Sequence, residues 1–270
     1  MRLAVVGHVE WVQFLRVEHV PAAGEIVHAH GLLEQAAGGG AVAAVQLVKL
    51  AGACDFFTAL GEDEFGRRSR EQLTAQGVHV HATLVPEPQR RAVVFVDGTG
   101  ERTITVIGDR LVPSRADPLP WQRLAEAAGV YFTGGDVEAL QAARQARVLV
   151  ATPRILALLQ RSGIEFDALV GSANDPGERY APGNLDPPPR LRVATMGADG
   201  GIAEPGGAFA AAPLPGPPGD AYGAGDSFAA GLTYGLAAGL STGEAIALAA
   251  RCGAAAVTGD GAYEGQLALT

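Results

Sequence analysis

Short apolar runs, each ending in a glycine or polar turn and separated by helix-like stretches, constrain this chain more than any other feature. Leu3–Val6, Cys54–Leu60, Val130–Phe132, Val148–Ala151, Ala168–Val170 and Leu191–Thr195 read as buried strands. Between them, Gly38–Leu50 opens on glycines and continues as an apolar helix. Asp63–Gln76 is amphipathic and closes on Gly77, and Val137–Ala146 and Arg154–Arg161 are further helix candidates. Strand alternating with helix predicts an α/β domain, with a mostly parallel sheet covered on both faces. Two long alanine-rich helices, Ala224–Ala238 and Thr242–Val257, fill the last third. The proline-rich stretches Pro182–Pro189 and Pro213–Pro218 read as loops within one domain spanning residues 1–270.

Two β-rich stretches break the alternation: Glu25–His30, and Val93–Val106 with Asp97-Gly98 as a hairpin turn. They predict a small sheet, with strands within about residues 9–30 and 90–107, placed as a lid over the open edge of the domain. Open strand edges on such a lid favour pairing with the lid of a second copy, a homodimer.

Composition narrows the function classes. The chain has 270 residues, 48% of them hydrophobic and 18% charged, enough for a large core. Its net charge of −9 argues against non-specific nucleic-acid binding and against attraction to an anionic membrane. Cys54 and Cys252 lack metal-ligand spacing, which suits a reducing cytoplasm. No run reaches membrane-spanning length, and MRLAVVGHVEW turns polar after Val6.

The chemistry concentrates in Asp220-Ala-Tyr-Gly-Ala-Gly-Asp-Ser-Phe-Ala-Ala-Gly231. Gly223-Ala224-Gly225 precedes a long helix, whose N-terminus presents unpaired N–H groups and the positive end of a dipole. Such a turn can hold a phosphoryl group, while Asp226 takes the proton of an attacking hydroxyl. The alternative is that Asp226 is a helix cap.

Four stretches together resemble the ribokinase-like (PfkB-type) carbohydrate kinases. They are Val5-Val6-Gly7 followed by Pro21-Ala-Ala-Gly-Glu25; Gly38-Gly39 with the small-residue helix ending in Leu50-Ala51-Gly52; Thr195-Met196-Gly197-Ala198-Asp199-Gly200; and Asp220 to Phe228. The resemblance covers nearly the whole chain. It implies a three-layer α/β sandwich with a β lid, and transfer of the ATP γ-phosphoryl group, with Mg²⁺, to a hydroxyl of a sugar or similar small molecule. Asp226 would be the base, and Gly223, Ala224 and Gly225 the anion hole. Thr195, Gly197 and Gly200 would line the nucleotide, and Gly38 and Gly39 would lie on the substrate side. Gly197 and Gly200 could equally just close a hairpin into Gly201–Ala203. Asp220 takes the position of the family's cation loop, which leaves room for a monovalent cation.

Departures from the pattern bear on the acceptor. Val12 stands where the family places a hydroxyl-binding aspartate, and Ala43 where it places an asparagine; neither side chain accepts a hydrogen bond. Glu10, and Trp11 by stacking, are the replacements the sequence offers. In the run Asp167–Glu178, one register offers Ser172 and Asp175 and a shifted one Asn174 and Glu178; the carboxylates Asp175 and Glu178 would hold Mg²⁺ through water. A phosphorylated acceptor has no obvious basic cluster here, although Arg90, Arg91 and Arg102 could contribute. A neutral polyol or nucleoside is therefore expected. A non-catalytic nucleotide- or sugar-binding protein on the same fold is the alternative that the missing polar contacts favour.

Two other patterns lead elsewhere. Gly38-Gly-Gly40-Ala-Val-Ala43 fits a dinucleotide fingerprint, yet does not follow the first strand directly. Gly225-Asp226-Ser227 resembles a hydrolase motif, but all six histidines lie at or before His81 and no downstream base is available.

Overall fold

The computed structural model describes residues 1–269. These form a nine-stranded main sheet and a four-stranded small one. In chain order the strands are β1 (Leu3–Val6), β2 (Glu10–Arg16), β3 (Gly31–Ala37), β4 (Cys54–Gly61), β5 (Val78–Val85), β6 (Arg91–Val96), β7 (Arg102–Ile107), β8 (Gly129–Phe132), β9 (Val148–Ala151), β10 (Ala168–Ser172), β11 (Arg192–Thr195), β12 (Gly201–Glu204) and β13 (Gly207–Phe209). The helices are α1 (Gly39–Ala51), α2 (Glu64–Ala75), α3 (Val137–Ala143), α4 (Leu156–Ser162), α5 (Ala224–Ala237) and α6 (Thr242–Ala256).

The main sheet runs β13-β12-β11-β10-β9-β8-β1-β4-β5. It is parallel from β5 through to β11, and β12 and β13 return antiparallel at one edge. One core joins α1, α5 and α6 to one face of the sheet, and a second packs α3, α4 and the turn at Trp121–Glu126 on the other. These are the three layers of the expected sandwich. β4 shows why both faces must be covered, since it is buried along its whole length. From β1 the chain builds outward through β4 and β5, then returns to the other side of β1 with β8. Such a reversal leaves a crevice at the carboxyl ends of the strands, the usual place for a ligand in an open α/β sheet.

The lid is the small sheet, ordered β3-β2-β6-β7, with β2 and β6 parallel and the outer pairs antiparallel. The hairpin expected at Val93–Val106 is present. The other expected stretch, Glu25–His30, is a connection; the strands it joins are β2 and β3. Glu10–Arg16 carries the β-branched and aromatic residues that fit a half-buried pleat. Glu25 instead turns back to accept the Ala22 N–H at 3.0 Å and to meet His19 at 2.7 Å, closing a local turn. Edge strand β5, with the alternating run VHVHATLV, is an element that the sequence reading left unassigned.

Candidate active site

Gly223 caps α5 with a φ of 76°, a left-handed conformation that glycine adopts without strain. Asp226 is therefore the third residue of the helix rather than its cap, and no side chain caps this end. The Ala224 N–H has a long 3.4 Å contact to Ala221, and the Gly223, Gly225 and Asp226 N–H groups have no acceptor among the described residues. A cap would have satisfied these donors; here they stay available to an anion.

The N-terminus of α1 comes to the same point. A β-carbon added at Gly39 would stand 2.8 Å from Oδ1 of Asp226 and 3.7 Å from Cε1 of His8, so only a hydrogen fits between them. Gly38, just before, packs against Glu10. Two helix N-termini thus flank the Asp226 carboxyl. Burial holds that carboxyl up to about 7, reinforced by the charges of Glu178 and Glu10 and opposed by those of Arg154 and Arg102. A carboxyl poised there can take a proton near neutral pH.

The side expected to face an acceptor is built from the turn after β1 and the start of β2. His8 and Glu10 are buried, their side chains 3.6 Å apart, and Glu10 pairs with Nε of Arg90 at 2.7 Å. Burial keeps the His8 imidazole below its usual pKa and hence neutral. Burial pushes the Glu10 carboxyl up, but the His8 hydrogen bond and the charges of Arg90 and Arg110 outweigh it and bring the carboxyl below its ordinary value. Trp11, on the opposite side of β2, is fully buried. Its ring lies 5.9 Å from that of Phe65 and under the Arg68 guanidinium, and its N–H reaches Glu34 at 3.3 Å. That packing takes Trp11 into the core against α2, so the expectation that it stacks on substrate is corrected. Val12 and Ala43 are likewise fully buried.

On the side expected to face a nucleotide, Thr195 ends β11 and its hydroxyl meets the Gly171 carbonyl at 3.4 Å. Gly197 and Gly200, with φ values of 62° and 80°, close the turn into β12, where Met196 donates to Gly200 at 2.8 Å. The hairpin reading of these glycines therefore describes their local role, and the turn lies at the carboxyl edge of the sheet, beside Ser172. Ser172 donates its backbone N–H to Glu178 at 2.7 Å, which turns this carboxylate back towards the sheet. The shifted register is thus the one that brings an acid, Glu178, into the electrostatic reach of Asp226. Asn174 is exposed.

Arg154, which the sequence reading missed, donates from Nε to Glu178 at 2.9 Å and pairs with Asp175. Asp175 also accepts the Gly177 N–H at 2.8 Å, and the hydrogen bond from Arg154 leads the influences that lower its pKa. No group of three or more His, Cys, Asp or Glu able to hold a metal occurs among the described residues. Both carboxylates are engaged, Asp175 by Arg154 and its own turn and Glu178 by Arg154 and the Ser172 N–H, so either would meet a Mg²⁺ only through water. Asp220 is buried and accepts the Tyr222 N–H at 2.9 Å and the Gly261 N–H at 2.8 Å, which fixes the loop leading into α5.

Both decoys resolve. Gly38-Gly-Gly40 follows lid strand β3 rather than β1. Ser227 is fully buried, with its hydroxyl 3.2 Å from Gln266, and is no nucleophile. No helix among the described residues is long and apolar enough to cross a membrane.

Comparison with known proteins agrees with this geometry. An ATP-dependent ribose-1-phosphate kinase of Halopiger xanaduensis is 26% identical, over 97% of this chain and 94% of that protein. The crystal structure of ribokinase from Thermotoga maritima superposes with a TM-score of 0.78 at 20% identity, over 98% of this chain and 96% of that one. Ribokinase from Cryptococcus neoformans, in complex with ADP, superposes with a TM-score of 0.74 at 24% identity, over 99% and 97%. The model of the pfkB family of carbohydrate kinases matches residues 1–268, and the chain belongs to that family.

Proposed function

We propose that this kinase transfers the γ-phosphoryl group of ATP to a hydroxyl of a small sugar or nucleoside-like acceptor, with Asp226 as the base. The observation that carries the reading is the meeting of two helix N-termini at one carboxyl held up to about 7. The acceptor lies against Gly38, Gly39, His8 and Glu10. Its hydroxyl reaches Asp226, which removes the proton as the new O–P bond forms and the bond to the ADP leaving oxygen breaks. Negative charge on the transferring group falls on the free N–H groups of the Gly223-Ala224-Gly225 turn, already oriented before reaction. Thr195, Gly197 and Gly200 line the nucleotide. Glu178, with Asp175 beside it, would hold a Mg²⁺ through water, and that ion would supply charge neutralisation.

The test is ADP release from Mg²⁺-ATP across sugars, sugar acids, sugar phosphates and nucleosides, with Asp226→Asn alongside. Acceptor-dependent turnover that disappears in the variant supports the reading; turnover that survives it removes Asp226 from the chemistry. A monovalent cation beside Asp220 would make turnover faster in potassium than in tetramethylammonium. Equal rates leave Asp220 as the anchor of its loop.

A further inference from the structure

Two partly buried guanidinium groups have no polar partner among the described residues: Arg91, which lies over the Phe65 ring, and Arg110, at the active site. Arg90 meets Glu10, Arg123 meets Asp55, Arg144 meets Asp167, and Arg154 meets Asp175 and Glu178. Arg110 is also partly buried, yet its side chain has no ion pair and no hydrogen bond among the described residues. A guanidinium carries five donors and no acceptor, and those of Arg110 are open to the crevice rather than sealed in the core.

The chain on either side fixes where Arg110 sits. Gly108 packs beside Arg90, since a β-carbon there would lie 3.9 Å from the Arg90 Cα. Val112 packs on Gly134, past the carboxyl end of β8, where a β-carbon would meet it at 2.8 Å. Arg110 therefore lies on the bridge from lid strand β7 to the carboxyl edge of the main sheet. The charges that bear on it are those of Arg90, Glu10, Arg154 and Asp226, the members of the site described above. His8 faces the same space. It is 6% exposed, and its Nδ1 is buried without a partner. Where a polyol-binding wall would carry hydroxyl acceptors, Val12 and Ala43 are fully buried and apolar.

The wall is thus rich in donors. Arg90 is engaged by Glu10, and Arg154 is shared by Asp175 and Glu178, which leaves Arg110 as the guanidinium of this site with its donors unused. A neutral polyol would leave the guanidinium uncompensated; an oxyanion would pair with it in a charge-assisted, two-pronged geometry. We propose that Arg110 selects an acceptor that carries a phosphate or carboxylate near the hydroxyl activated by Asp226, with Arg90 beside it. This rests on the kinase reading above, and it replaces the neutral acceptor expected from the sequence.

The experiment compares ribose with ribose 1-phosphate and ribose 5-phosphate, and glucose with gluconate, in wild type, Arg110→Gln and Arg110→Lys. A phosphorylated or carboxylated sugar should exceed its neutral parent by about 100-fold in kcat/KM, the scale of a charge-assisted hydrogen-bonded contact. Arg110→Gln should lower that value by roughly 30-fold, mainly through KM, with Arg110→Lys in between and the neutral sugar shifted less than about 3-fold. Turnover with phosphates alone, or with gluconate alone, identifies the oxyanion. Preference for a neutral sugar or nucleoside, or an equal loss for both classes in Arg110→Gln, overturns the proposal. Calorimetric titration of the same sugars into Asp226→Asn protein with ADP separates the two readings. Anionic-sugar binding that Arg110→Gln abolishes, in a protein that shows no turnover as wild type, would uphold the anion site and refute the kinase reading alone. Absence of any anionic-sugar binding while ADP binds would refute the anion site. Melting temperatures within a few degrees of wild type establish that the variants are folded, and Arg110→Lys carries the comparison if Arg110→Gln is not.

Discussion

Asp226 and Gly39 can be tested as a pair of atoms in contact. With the Asp226 carboxyl at about 7, kcat/KM should fall tenfold per pH unit below that point and level off above it. The same shift acts on stability with a definite sign. The ordinary value is 3.8, so the unfolded chain gives up this proton first, and ionisation opposes folding increasingly from near pH 4 up to about 7. Asp226→Asn removes that penalty. Its melting temperature should match wild type near pH 4, rise above it through neutral pH and keep a constant lead beyond, while turnover falls by about 10³-fold or more and ADP affinity holds. Gly39→Ala separates geometry from stability. The residue lies in the first turn of α1 without a positive φ, so alanine suits the helix, but its β-carbon would stand 2.8 Å from Oδ1 of Asp226. We expect a loss of about 10–100-fold in kcat/KM, with the melting temperature unchanged or slightly raised.

At the level of elements, the β11–β12 turn and lid strand β2 make contrasting predictions. A β-carbon at Gly200 would meet the Phe209 carbonyl at 2.0 Å from a backbone with φ of 80°, so Gly200→Ala must distort the hairpin. It should cost about 1–3 kcal/mol of stability and weaken ADP binding, measured by calorimetry at a temperature where the variant is folded. Trp11→Ala empties a fully buried site between β2 and α2. It should cost roughly 3–5 kcal/mol in chemical denaturation and leave the acceptor KM of the folded fraction unchanged. A rise in KM instead would return Trp11 to the substrate.

For the whole molecule, the open question is what covers the lid. Strand β7 is exposed along its length, with Ile104, Val106 and Ile107 each more than two-fifths accessible, and it is an edge of the small sheet. A free apolar edge invites pairing. We expect sedimentation equilibrium to give twice the mass of one chain, and Ile104→Lys with Val106→Lys to return it to one. A single-chain mass for the wild type would mean that the lid closes alone.

The parallel sheet, its helices, the lid hairpin and the glycine turn before Asp226 were legible in the chain because each depends on local patterns: apolar runs, periodicity and glycines at a helix start. Glu25–His30 was misjudged because Glu25 is satisfied locally, by His19 and the Ala22 N–H, rather than across a ladder, and β5 was passed over although its histidines alternate with valines as an edge strand's polar face should. Trp11 and Glu10 are neighbours in sequence, yet successive residues of a strand face opposite sides. Only the packing of α2 against β2 decided that one belongs to the core and the other to the site. Arg110 and Arg154 carry no motif at all. Arg154 matters for the two carboxylates it joins and Arg110 for having none paired to it, a matter of long-range contacts that the tertiary structure alone sets.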